Sequence, residues 1–100
     1  MRISETAMKN HEELFPNRKS TLMVTDPELI EVFDNFAFDE VLGYGNLDTR
    51  TRLMVILASM IASQALGEYR VMLGGALNVG VTPVEVKEIV YQVCWHCQSV

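Results

Sequence analysis

Residues 53–66 read LMVILASMIASQAL, fourteen positions without a charge, whose polar members are Ser59, Ser63 and Gln64. A bilayer-crossing helix needs about 20 largely apolar residues, so this stretch predicts a buried helix and no membrane anchor. It is apolar all round, and such a helix must be covered on every side. Ala58, Ser59, Ala62 and Ser63 fall on one flank, where small side chains let another backbone come close. One domain of 100 residues is a marginal size for covering so apolar a helix alone. The sequence therefore predicts a homo-oligomer.

Working outward, Asp48 or Thr49 caps this helix and Gly67 ends it, after the turn Gly43-Tyr44-Gly45-Asn46-Leu47. A further helix is expected from about Glu68 to Val79, with Gly80 as its C-cap. Thr82-Pro83-Val84-Glu85 is a capping box with proline at the first helical position. The last helix sets Val86, Ile89, Val90, Val93, Cys94 and Cys97 on one face. Upstream, Asp26-Pro27 opens a helix that Gly43 closes. At 100° per residue Leu29, Val32, Phe33, Phe36 and Ala37 share a face, opposite Glu28, Glu31, Asp34 and Asn35. Ser4 to Phe15 reads as a weakly amphipathic helix ended by Pro16, and Asn17 to Thr25 as an irregular polar segment. No strand pattern appears, so the fold class is all-α. The chain reads as one domain over 1–100, an N-terminal helix and arm over 1–25 followed by a core over 26–97.

Composition excludes several classes. A net charge of −5 and a pI near 4.9 argue against nucleic acid as a partner, because phosphate binding needs a basic patch. Apolar content of 49% with 21% charged residues argues against disorder. The first fifteen residues carry no apolar signal-peptide core, and two cysteines make no disulfide framework. A cytoplasmic address is expected.

Four groups of side chains could carry chemistry. Cys94-Trp95-His96-Cys97 has the spacing of a dithiol, yet it ends a helix, where the dipole opposes a thiolate. Two thiols and His96 are also one ligand short of a structural zinc site, so no metal is expected. Core thiols are the preferred reading. Glu68, Met72 and Gly75 lie at i, i+4 and i+7, one stripe of a helix. Gly74-Gly75 costs about 1 kcal/mol per glycine against alanine inside a helix, which close packing or close approach of a ligand would explain. Glu40 falls on the apolar face of its helix, where desolvation suits a carboxyl to proton transfer, and Phe38 falls among acids as an exposed aromatic. Arg50 and Arg52 open the apolar helix against its dipole, so they should pair with carboxylates of the protein or of a ligand.

The run from Phe33 onward, above all Gly-Asn-Leu-Asp-Thr-Arg-Thr-Arg at 45–52 and Ala-Leu-Asn-Val-Gly-Val-Thr-Pro-Val-Glu at 76–85, resembles the carboxymuconolactone decarboxylase family. That family includes the alkyl hydroperoxidase D-like proteins. The resemblance covers about Asp26 to Gln92. It implies an all-helical alkyl hydroperoxidase D-like bundle in ring oligomers, commonly trimers or hexamers. It also implies a small-molecule substrate and no cofactor.

The peroxidase-like branch carries two cysteines and a histidine on the helix before Gly80, with a Glu further upstream. Here those places hold Ala65, Glu68, Met72 and Leu53, so the redox motif is missing. The decarboxylase branch sets Glu and His four apart on the same helix. Glu68 matches the Glu, and Met72 replaces the His. The resemblance thus implies decarboxylase-type (carbon–carbon lyase) chemistry on a small carboxylated lactone or related acid. Glu68 would be the catalytic proton donor or acceptor, Arg50 and Arg52 would hold carboxylates, and Met72 and Gly75 would line the substrate site. Thiol-peroxidase-related activity, or a degenerate member that binds or assembles without catalysis, are the alternatives.

Overall fold

Side-chain caps open four of the five longer helices close to where the sequence places them; α6 (Leu66–Asn78) has none. The computed structural model describes residues 2–95, and every regular element among them is helical. Ser4 accepts a hydrogen bond from the N–H of Ala7 and starts α1 (Glu5–Leu14). Asp26 accepts from the N–H of Leu29 and, with Pro27, starts α3 (Pro27–Asn35). Asp48 accepts from the N–H of Thr51 and starts α5 (Thr49–Ala62). Thr82 and Glu85 form the reciprocal capping box of α7 (Pro83–Val93). The segment expected to be irregular contains one short helix, α2 (Leu22–Thr25). No helix among the described residues is long and apolar enough to cross a membrane. The chain divides after Asn46 into two compact units.

In the first unit, α1 packs on α3 and on a π-helical turn, Phe36–Glu40, which leads into α4 (Val41–Tyr44). The buried apolar residues are Ala7, Leu14, Phe15 and Ile30. This reverses the face read from the α3 helical wheel. Leu29, Val32, Phe33 and Phe36 are 49–56% exposed, whereas Glu31, Asp34 and Asn35 are half-buried. Hydrogen bonding decides the choice. The Ser4 N–H donates to Asn35 Oδ1 (2.8 Å), Ser4 Oγ to Asp39 Oδ2 (2.7 Å), and Asn10 Nδ2 to the Phe38 carbonyl (2.8 Å). Polar groups on α1 thus select the polar side of α3 and the turn.

In the π turn the N–H of Val41 reaches back five residues to the Phe36 carbonyl, which shifts the phase of everything beyond it. Phe38, expected to be exposed, is half-buried, 4.9 Å edge-on from the His11 ring and 6.4 Å from Phe33. Glu40, expected on the apolar face, is exposed. Burial pushes the Asp34 carboxyl above its ordinary value, and nearby His11 opposes that effect.

In the second unit, α5 packs on α6 (Leu66–Asn78) and on α7. The buried residues are Leu53, Leu57, Gly75, Ala76, Val81 and Ile89. The break between α5 and α6 comes earlier than the sequence suggests, at Ser63–Ala65, which leaves Gly67 inside α6. Ser59 Oγ and Ser63 Oγ donate back to the carbonyls of Ile56 (2.7 Å) and Ser59 (2.8 Å), competing with the helix ladder. Gln64 then takes a left-handed φ of 60°. The Ala65 N–H bonds the Met60 carbonyl and the Gln64 N–H that of Ile61. That is a Schellman ending with glutamine where glycine is usual. α6 ends in the same way with the expected residue: Gly80 has φ 97°, and the N–H groups of Gly80 and Val81 bond the carbonyls of Leu77 and Ala76.

Candidate functional site

The five residues that the resemblance places in the site lie in the second unit, Arg50 and Arg52 at the start of α5 and Glu68, Met72 and Gly75 along α6. Arg50 stands in the first turn of α5. Its Nη1 donates to Glu85 Oε2 at 2.6 Å and touches Met54 Sδ at 3.6 Å, one turn along the helix. Its stem lies over Gly80, where a β-carbon added to the glycine would sit 4.0 Å from Arg50 Cδ. Glu85 uses both oxygens, since Oε1 accepts the Thr82 N–H at 2.9 Å. The Thr82 N–H, and to a smaller extent Arg50, hold the Glu85 carboxyl below its ordinary value. The expectation that Arg50 pairs with a carboxylate is met here by one from the chain itself.

Arg52 is half-buried, and its Nη2 donates to the Leu47 carbonyl at 2.7 Å, closing the loop ahead of α5. Asp48, the cap of that helix, has its carboxyl held low by the Thr51 hydroxyl and N–H.

Glu68 is exposed in the first turn of α6. Met72, one turn on, is half-buried, and Gly75 is buried. Gly74 faces open space, with nothing within 4 Å of an added β-carbon. Gly74 thus makes no contact that needs it to be small.

The ends are far apart. Ten residues separate Glu68 from Asn78, about 15 Å of helix axis, and Arg50 lies against Gly80 beyond the far end. A small acid held by Arg50 is out of reach of Glu68 of the same chain. The sequence reading missed the part played by Glu85. Its place in the capping box was legible, but its pairing with Arg50 joins positions 35 apart, and no local pattern announces it.

Cys94 is half-buried at the C-cap of α7; His96 and Cys97 lie outside the described residues. No group of three or more His, Cys, Asp or Glu side chains among the described residues is placed to hold a metal ion.

Compared with known proteins, the chain finds no significant match among curated proteins or among solved structures. A family model does match. It is that of the carboxymuconolactone decarboxylase family, it aligns with residues 27–99, from the first residue of α3 past the end of α7, and the chain belongs to that family.

Proposed function

We propose that the protein is a decarboxylase-type member of this family that acts on a small carboxylated lactone or related acid in the cytoplasm. The observation that carries this reading is Glu68. By the resemblance it takes the place of the family's Glu, and it is exposed at the head of α6 with no ion-pair partner among the described residues. In the step proposed, the bond between carbon and the leaving carboxylate breaks and carbon dioxide departs. The electron pair stays on the carbon conjugated with the lactone carbonyl, and that carbon takes the proton of the Glu68 carboxyl. Exposure lets Glu68 recover its proton from water. Arg50 anchors a carboxylate of the substrate, Arg52 frames the loop beside it, and Met72 and Gly75 shape the wall near Glu68.

Since Glu68 stands at the head of α6 and Arg50 lies beyond its other end, about 15 Å of helix further on, one substrate meets both only when two copies contribute them. The proposal therefore includes a homo-oligomer, a trimer or hexamer, with each site between neighbouring copies. Val55 on α5, the helix expected to be covered all round, is 56% exposed, which supports this.

Mixing tests it. Purified Arg50→Ala and Glu68→Gln should each fail to release carbon dioxide from a carboxymuconolactone, and the two mixed and re-equilibrated should regain part of the native rate. A native protein that is active, with a mixture no better than its components, rejects the shared site. A native protein without activity rejects the decarboxylase reading and favours the non-catalytic binding alternative, which Met72 at the family's His place also supports.

A further inference from the structure

The Arg50 guanidinium is held at one corner. Nη1 is fixed between Glu85 Oε2 and Met54 Sδ, and the stem lies beside Gly80, whose left-handed φ of 97° disfavours any larger residue there. Nε and Nη2 have no partner among the described residues, and the side chain is 43% exposed. Those two nitrogens form the edge of the guanidinium that grips a carboxylate through two parallel hydrogen bonds. Glu85 is itself immobilised, because its other oxygen is locked into the capping box at the start of α7.

We propose that Glu85 is a positioning residue: it holds Arg50 by Nη1 and so presents the Nε–Nη2 edge to a carboxylate of the substrate. This rests on the reading of Arg50 as the carboxylate anchor. The ion pair is then a support for binding and not a competitor of the ligand. An arginine with a fixed fork loses less freedom on binding than one that swings in solvent. The ligand class is a small organic acid with a planar carboxylate. A spherical anion such as chloride gains little from the fork.

Nitrogen-15 NMR of the arginine Nε–Hε groups, with succinate as probe, tests this in the native protein and in Glu85→Gln. Glutamine keeps the capping box, since its side chain also bonds back to the Thr82 N–H. Before any ligand is added, the Arg50 Nε should be rigid on the nanosecond scale and the exposed Arg70 Nε mobile. Succinate should shift the Arg50 Hε in the native protein. Glu85→Gln should loosen that Nε and weaken succinate binding on the order of tenfold, the loss of a pre-set fork. An Arg50 Hε unmoved at saturating succinate removes the anchor itself. A moving Hε with unchanged or tighter binding in Glu85→Gln leaves the anchor and overturns the positioning role. An Arg50 Nε as mobile as that of Arg70 in the native protein overturns it too, whether or not the variant folds.

Discussion

Two carboxylates at helix starts show how single residues set the acid behaviour of the second unit. Asp48 and Glu85 both have carboxyls held below their ordinary values by hydrogen bonds that exist only when folded. A group depressed in this way adds stability that is present above the ordinary carboxylate range and is lost as pH falls through the folded value. The denaturation midpoint should fall on acidification below that range, and Glu85→Gln should flatten the profile. Asp34 has the opposite sign: its raised value adds stability at low pH that is lost as pH rises through it, so Asp34→Asn should stabilise the first unit at neutral pH. On the decarboxylase reading, Met72 is the residue whose exchange bears most directly on proton transfer. It lies one turn from Glu68, half-buried, so Met72→His rebuilds an i, i+4 pair able to relay a proton, which a thioether cannot do. Carbon dioxide release from a carboxymuconolactone should rise in that variant. An unchanged rate would show that the missing imidazole is not what limits turnover.

Among the elements, the α5–α6 connection offers the clearest test of backbone reasoning. Gln64 occupies a left-handed position that glycine takes at less cost. Gln64→Gly should therefore raise the stability of the second unit by about 0.5–1 kcal/mol in a denaturant titration. Leu57, fully buried in α5, should lose about 2–5 kcal/mol as Leu57→Ala, enough to unfold so small a unit. Four helix starts were legible in the sequence because Ser4, Asp26, Asp48 and Thr82 act on atoms three residues away; the start of α6, which has no side-chain cap, came two residues earlier than expected. The α3 face was not, since Asn35 and Asp39 are chosen by Ser4, more than thirty positions earlier. The π turn was also hidden, because a wheel at 100° per residue assumes an unbroken α-helix and so misplaces Phe38 and Glu40. The α6 stripe was legible as a pattern, but a helical wheel has no length, and the placing of Glu68 and Arg50 at opposite ends of α6 appears only once α6 is laid against α5.

At the scale of the whole molecule, a family domain of this size has too few buried side chains for its apolar surface. Leu29, Val32, Phe33 and Phe36 on α3, Leu66 and Leu77 on α6 and Tyr91 on α7 are all substantially exposed. Burying them at about 25 cal/mol per Å² would favour association strongly, and the opposing self-repulsion at a net charge of −5 is modest at physiological salt. Association also decides whether Glu68 and Arg50 ever meet one substrate. Light scattering of the purified protein at micromolar concentration measures this directly. A mass of three or six times the 11.3 kDa chain is the expected result, and a mass of 11.3 kDa, which keeps the two residues permanently apart, would contradict it.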